Sequence, residues 1–323
     1  MTNDERPICY DNTMLGQFAS CQRKFKLFWM GLEPVERAVY FTFGQVWQEA
    51  LEKWYVSKGD TAYRLGEAIE LAGKRWADEG SPAVGRHTIE NLRFMLTMYA
   101  IEYDNEPFEV IMRQTESGPK MELGFEFPLS GTPWMLGGAI DGYIHWGAYG
   151  KLVLENKTSG IALSDGYMAG WRHSSQVSQY YWGLCQLLPE APFGVLMNCA
   201  FKGVSDKAKL AFKKDLVIPE GVFARDLEKR SPWRMKEFER DCRLAIEDIQ
   251  RAFDRDHWPK TKDHVQCIGG IGKSPCTFRR LCLIEEEPWQ MEVAQLLGND
   301  LKFREKAWKP WERGGKRDES KDN

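Results

Sequence analysis

Apolar residues over the first third of the chain recur at helical spacing. Met14, Phe18, Cys21, Phe25 and Phe28 fall every three or four positions between Asp11 and Leu32, with Asp11 or Thr13 placed as a cap, and predict a helix there. Trp47, Ala50, Leu51, Trp54 and Tyr55 share one face of a helix from Gly44 to Tyr55, which leaves Gln48 and Glu52 one turn apart on another. Thr61 to Asp78 and His87 to Glu102 continue the helical pattern around the turn-rich stretch Gly80 to Gly85. The period then drops to two. Leu123, Phe125 and Phe127 alternate with polar or small residues, and Leu136 to Trp146 and Lys151 to Lys157 follow as predicted strands. A helix over Ser174 to Leu188, with Val177, Tyr180, Tyr181, Leu184 and Leu188 on one face, precedes strand-like runs at Phe193 to Phe201 and Lys209 to Ile218. Ser231-Pro232 opens a last long helix through Met235, Phe238, Cys242, Ala245, Ile249 and Phe253 to His257, and Pro259 stops it.

This order predicts an α/β fold in a single domain over residues 1–312. Its parts are a mainly helical stretch (11–110), a mixed sheet core flanked by helices (120–220), and a C-terminal helix with a cysteine-rich clasp (231–312). The charged segment 313–323 has no apolar side chain and predicts a disordered tail. The chain has 323 residues, 43% hydrophobic and 28% charged, enough to bury a sizeable core. No apolar run reaches the roughly 18 residues of a membrane span, and the polar opening Met1 to Arg6 does not read as a secretory signal. A cytoplasmic protein with no membrane partner is the expectation.

In such a compartment thiols stay reduced, so eight cysteines point to metal ligation rather than a disulfide framework. Cys267, Cys276 and Cys282 lie late in the chain, and Cys21 stands alone far upstream. Four thiolates in this layout suit a [4Fe-4S] cluster that staples the chain ends, or a tetrahedral zinc ion. Cys9, Cys185, Cys199 and Cys242 lie in apolar or helical settings and read as core. The five histidines form no ligand-spaced cluster.

The other chemical signal is Gly138-Ala139-Ile140-Asp141-Gly142-Tyr143 followed by Leu152-Val153-Leu154-Glu155-Asn156-Lys157-Thr158. Alternation along a strand points Glu155 and Lys157 the same way and Leu152 and Leu154 the other, and Asp141 can meet them from the neighbouring strand. Two hard oxygen ligands beside an ammonium suit phosphodiester hydrolysis with Mg²⁺ or Mn²⁺, and the carbonyl of Asn156 is a further candidate ligand. An E-x-K pair is also a common surface ion pair; the apolar flanks and the preceding Gly-Gly-x-x-Asp-Gly strand favour a site.

The net charge of -3 carries no global basic signal, so contact with nucleic acid has to be local. Arg23, Lys24, Phe25, Lys26 and Trp29, and Phe278, Arg279 and Arg280, interleave basic and aromatic side chains that could neutralise phosphates and stack bases.

These motifs together resemble the RecB-like branch of the PD-(D/E)XK nucleases, in the group with a four-cysteine iron–sulfur cluster that includes the AddB type and the CRISPR adaptation nucleases. Asp141 and Glu155-Asn156-Lys157-Thr158 are similar to the G-x-x-D and E-x-K-T heart of that family. Gly44, Gln48, Leu51 and Glu52 match its G-x-x-x-H-x-x-L-E helix at all but one position, with Gln48 where a metal-binding histidine is usual. Gln176 and Tyr180 fit its Q-x-x-x-Y helix, and Cys21-Gln22-Arg23-Lys24-Phe25 its first cluster ligand, with Gln22 for proline. The resemblance implies a restriction-endonuclease-like core and a DNA exonuclease working in replication, recombination or end processing. Asp141, Glu155, Asn156, Gln48 and Glu52 would serve Mg²⁺ or Mn²⁺, with Lys157, Gln176 and Tyr180 completing the catalytic set. A [4Fe-4S] cluster would sit on Cys21, Cys267, Cys276 and Cys282.

Single-stranded DNA or duplex ends would be the substrate. No G-x-x-x-x-G-K-[ST] motor motif is present, and a helicase or recombination partner and a homo-oligomer are both compatible with the sequence. The alternative reading is a catalytically weak iron–sulfur DNA-binding or assembly protein, because glutamine at position 48 is a poorer ligand than imidazole.

Overall fold

Side-chain caps start most of the helices. In the computed structural model, which describes residues 6–35, 38–115, 118–270, 275–284, 287–291, 293–298 and 303–312, Asp11, Asp60, Thr88, Ser174 and Ser205 each accept a backbone N–H from the first turn that follows. The helices are α1 (Asn12–Ser20), α2 (Gln22–Trp29), α3 (Val39–Val56), α4 (Thr61–Asp78), α5 (Ile89–Glu102), α6 (Asp165–Ala169), α7 (Ser175–Leu187), α8 (Asp206–Asp215), α9 (Pro232–Arg255), α10 (His264–Ile268) and α11 (Val293–Gly298). The strands are β1 (Cys9–Tyr10), β2 (Leu32–Pro34), β3 (Glu109–Val110), β4 (Arg113–Thr115), β5 (Gly118–Lys120), β6 (Leu123–Pro128), β7 (Met135–Ile140), β8 (Gly142–Trp146), β9 (Gly150–Ser159), β10 (Gly194–Phe201), β11 (Phe223–Glu228) and β12 (Phe303–Glu305). The fold is α/β, with mixed sheets flanked by helices. Among the described residues no helix is long and apolar enough to cross a membrane.

The chain divides into two compact units, each drawn from separated stretches. The first comprises residues 1–37, 126–138 and 232–310, and the second 38–125, 139–231 and 311–323. The segment 313–323, read above as a disordered tail, lies outside the described residues, as do residues 271–274 of the spacer between Cys267 and Cys276.

In the second unit a five-stranded sheet runs in the order β11-β10-β9-β8-β3. β9 and β10 are parallel at its centre, and every other pairing is antiparallel. Residues 152–156 of β9 are all buried, as a central strand covered on both faces requires. The amphipathic α3, α4 and α5 bury Phe43, Trp47, Leu51 and Trp54 against Trp76, Leu92, Met95 and Tyr99. Leu152, Leu154 and Leu196 pack with Phe108, Met121 and Ile144 in a second cluster.

In the first unit Phe25 of α2 meets Phe18 of α1 at 5.5 Å, edge on, and stacks on Trp258 at 6.0 Å. Asp11, besides capping α1, accepts Trp308 Nε1 at 3.0 Å.

Three local expectations change. The single helix predicted from Asp11 to Leu32 is two, because Cys21 is extended (φ -168°, ψ 116°) and stands at the end of one helix and the start of the next. The strand predicted from Leu136 to Trp146 breaks at Asp141, so β7 and β8 belong to different sheets. Lys209 to Ile218 is not a strand: residues 206–215 form α8, capped by Ser205, with Asp206 in its first turn and Lys213 and Lys214 in its last, charges that suit the helix dipole. The strand beside β10 is instead β11.

Candidate active site and cysteine group

Strand geometry assembles the first site, which lies wholly in the second unit. Gly142 opens β8 opposite Leu154 of β9, so Asp141 stands just past the end of that ladder. Its Oδ2 accepts the next backbone N–H along, that of Asn156, at 2.8 Å. A Cβ at position 142 would lie 2.6 Å from Met121 Cγ, so a side chain after Asp141 would displace Met121.

Glu155 and Lys157 share a face of β9, and Lys157 Nζ lies 2.5 Å from Glu155 Oε1. The Glu155 side chain is 1% exposed and that of Lys157 26%. Burial pushes the Glu155 carboxyl above its ordinary value against the pull of Lys157, and the charge of Glu122 adds to the rise. Burial works against the Lys157 ammonium too, but Glu155 and then Asp141 outweigh it and hold it above its ordinary value. The expected trio is therefore assembled, with Glu122 as a fourth charge that sequence reasoning missed because it lies between motifs.

The side chain of Asn156 points to the opposite face of β9 and is 7% exposed with its neighbours. Its Nδ2 donates to Gln48 Oε1 at 3.0 Å, so Gln48 approaches β9 on the Asn156 side rather than that of Glu155 and Lys157. Glu52 Oε1, one turn on, accepts the backbone N–H of Met121 at 2.9 Å. The two side chains expected as further metal ligands are thus engaged by protein donors.

Asn156 Oδ1 accepts Nδ2 of Asn198, its register partner on β10, at 2.7 Å. Asn198 also donates to Tyr99 Oη at 2.7 Å and accepts from Arg225 Nε at 3.0 Å, and Arg225 makes a bidentate contact with Glu106 at 2.6 and 2.7 Å. This buried polar chain supports the strand that carries the trio. Its one sequence signal is Asn198 in the otherwise apolar β10.

Gln176 Nε2 donates to Tyr180 Oη at 2.8 Å, so α7 brings these two expected residues together with each other. Tyr167 of α6 is a further neighbour: burial raises its phenol, a bond to Ser159 opposes the rise, and the charges of Cys199 and Lys157 reach it.

Two observations bear on a divalent cation. Glu155 Oε2 is buried with no hydrogen-bond partner among the described residues, an unmet acceptor on a carboxyl that the charge of Glu122 also reaches. No three His, Cys, Asp or Glu side chains among the described residues converge on one ion position. A cation here would therefore rest on Asp141 and Glu155 with backbone or solvent oxygens, a donor set that suits a hard ion.

The second site lies wholly in the first unit. The charges of Cys21 and Cys267 reach Cys276, and those of Cys276 and Cys21 reach Cys282, though among the described residues no three of these thiols converge on one ion position. Cys276 N–H donates to Cys267 O at 3.1 Å. Burial raises the thiols of Cys276 and Cys282, opposed by Lys24 at the first and by Arg23 and Lys260 at the second. Such cations favour thiolate ligands. A cubane spreads its ligands over four irons, so it does not need the thiolates to share a point. Of the other cysteines, Cys9, Cys199 and Cys242 are buried and Cys185 half-buried.

The basic and aromatic patches do not form the expected stacking surface. Phe25 is fully buried, and Lys26 is 4% exposed with its ammonium over Phe253 and Trp258. Phe278 is buried and stacks on Phe303. Arg23 lies over Trp289, 4.5 Å from the ring centre. The rings serve the core because a short helix beside a cysteine loop has few other apolar anchors; Arg279 and Arg280 remain exposed.

No protein-family model matches the chain, and no curated protein does. Among solved structures the chain is similar to one described as "Crystal structure of SSO0001", at 15% identity over 64% of this chain and 84% of that one, with a TM-score of 0.28, a likeness too slight to carry an argument.

Proposed function

We propose that this chain is a metal-dependent DNA nuclease of the RecB-like PD-(D/E)XK kind, acting from DNA ends, with a [4Fe-4S] cluster on Cys21, Cys267, Cys276 and Cys282. The observation that carries the reading is the buried Glu155–Lys157 pair, with Asp141 bonded to the peptide between them and Glu155 Oε2 left without a partner. A divalent cation on Asp141 and Glu155 would supply Lewis-acid stabilisation of a phosphodiester's developing charge. Lys157 Nζ orients the attacking water and offsets charge on the non-bridging oxygens as the new P–O bond forms and the ester bond breaks. The Asn156–Asn198–Arg225 chain keeps β9 in place while this happens. The cluster would hold the separated stretches of the first unit together, a structural role. A cytoplasmic setting, a helicase or recombination partner and self-association accompany this reading.

The test is digestion of end-labelled single- and double-stranded DNA in Mn²⁺ or Mg²⁺ by anaerobically purified protein, with Glu155→Ala and Lys157→Ala as controls. Cleavage by the wild type alone supports the reading. A second reading draws on Gln48 and Glu52, both already engaged by protein donors: a nuclease fold that binds DNA with little or no cleavage. Metal-independent DNA binding by a well-folded, cluster-loaded protein that leaves DNA intact would select it.

A further inference from the structure

Lys202 follows β10 directly and is 6% exposed. Its backbone is fixed at both ends: N–H donates to Ser159 O at 2.9 Å, and O accepts from Asn91 Nδ2 at 3.1 Å. The same Asn91 amide donates to Arg86 O at 2.9 Å, which ties the two basic residues to one point at the start of α5. Arg86 is exposed and donates Nη1 to Gly160 O at 2.7 Å. A Cβ at Gly203 would lie 2.6 Å from that same Nη1, so the guanidinium lies against the backbone just after Lys202. The third member is His87, whose ring meets Phe43 edge on at 5.7 Å, while Lys202 Nζ lies 5.4 Å from the centre of that ring.

The charges that act on Lys202 and on His87 are positive. Burial and then Arg86 push the Lys202 ammonium down to about 8. Burial, then Lys202, and more weakly Arg86 lower the His87 imidazole, against a bond to Val84 O. Among the described residues Lys202 Nζ makes no ion pair or hydrogen bond, and no carboxylate acts on it. The stem of Lys202 is buried while its ammonium reaches solvent without an anionic partner among the described residues, so an anion that neutralises it there is favoured.

The location identifies the ligand. Ser159 and Gly160 end the strand that carries Glu155 and Lys157, and Phe43 precedes Gly44, where α3 passes Thr158 Oγ1 closely. We infer that Lys202, Arg86 and His87 form a binding pocket for a phosphate group of the nucleic-acid strand, separate from the scissile one and beyond the end of the catalytic strand. This rests on the nuclease reading for the identity of the strand, and on the cationic pocket alone for the phosphate. Lys202 is a positioning residue in it, since it touches no reacting atom.

The test uses the whole protein in EDTA, so that no cleavage is needed. Melting temperature is followed as inorganic phosphate replaces chloride at constant ionic strength. Binding of short oligonucleotides, with and without a 5′-phosphate, is followed by fluorescence anisotropy across a salt series. Wild type should be stabilised by phosphate. Lys202→Met should match or exceed the wild-type melting temperature without phosphate, lose the phosphate-dependent rise, bind the oligonucleotide about tenfold more weakly, and show a salt slope shallower by about one. A 5′-phosphate preference that Lys202→Met abolishes assigns the pocket to a terminal phosphate; equal weakening on both oligonucleotides assigns it to an internal phosphodiester.

A variant less stable than wild type with an unchanged phosphate response would make Lys202 a structural residue and overturn the inference. Should Lys202→Met not fold, Arg86→Gln, at an exposed position, decides in its place: it should blunt the phosphate response, and a wild-type response overturns the pocket. A protein that never cleaves DNA but is stabilised by phosphate through Lys202 would sink the nuclease reading and leave the pocket standing.

Discussion

Lys157→Met removes the cation that Glu155 faces and keeps the length of the side chain. Breaking a fully buried ion pair from one side costs about 3–5 kcal/mol. A quarter of the Lys157 side chain meets water, against almost none of Glu155, so about 2 kcal/mol is the expected loss at pH 8 in EDTA. The sign with pH follows from Glu155. Burial already raises its carboxyl, and Lys157 opposes the rise. Without Lys157 the folded value climbs further above the unfolded one. A carboxyl shifted that way contributes stability that is fully present below its unfolded pKa and is lost as pH rises through the folded one. The deficit of Lys157→Met should therefore be small near pH 5 and largest at pH 8, and Glu155→Gln added to it should remove the pH dependence. Mn²⁺ should restore stability to Lys157→Met but not to the double variant, because the cation replaces the ammonium only while the carboxylate remains. Cleavage in Mn²⁺ or in Mg²⁺ should fall by about 10²–10⁴-fold. Urea denaturation at the two pH values and a nuclease assay read these outcomes. A Lys157→Met protein as stable as wild type at pH 8, or one that cleaves at the wild-type rate, would refute the reasoning.

Asn198→Ala leaves Asn156, Tyr99 and Arg225 short of partners in a buried setting and should cost about 2–3 kcal/mol in urea denaturation; a loss under 0.5 kcal/mol would mean that the polar chain does not support β9. Wild-type protein should be brown, with broad absorption near about 400 nm, and Cys276→Ala should lose that band and the hydrogen-exchange protection of the stretch around Cys267 and Cys282. A colourless wild type holding one zinc would replace the cluster by the rival ion. Asp11 has its carboxyl raised from 3.8 to about 6, by burial first, against its bonds to Met14 and Trp308. Its share of the stability should fall by about 2 kcal/mol as pH rises from about 4 to about 6, since each pH unit is worth at most about 1.4 kcal/mol. Asp11→Asn should flatten that slope, and an unchanged slope would show that Asp11 does not ionise in this range.

Long periodic segments were the legible part of the fold. Thr61–Asp78 falls where the spacing puts it, and β9 and α7 lie within two residues of their predicted bounds, because each presents one continuous apolar set. What was not legible depended on a single residue's backbone or on partners far along the chain. Cys21 ends one helix and starts another without glycine or proline to announce it. Asp141 takes a ladder N–H from β9 in place of continuing β8, and only the fold supplies that N–H. Leu210, Leu216, Val217 and Ile218 made residues 209–218 look like a strand, yet Leu210 is 69% exposed and Phe212 carries the burial, so the apolar count misled where the Ser205 cap and the terminal charges did not.

At the site, chemistry two residues apart on one strand was legible and chemistry between strands was not. Glu155 and Lys157 meet because a strand alternates, whatever surrounds it. Asn156, between them, faces the other side of the buried stretch 152–156 of β9, where a branched apolar residue costs least. An amide there has to find donors and acceptors, and it finds Gln48 and Asn198. Gln48, expected as a metal ligand, is therefore held by the strand's own amide. Read in that light, glutamine at position 48 need not be a weakened histidine. Its carbonyl satisfies Asn156 Nδ2, whereas an imidazole would offer one lone pair and only as one of its two tautomers. Position 48 serves the buried amide network, so a divalent cation would draw its ligands from the opposite face of β9, from Asp141 and Glu155.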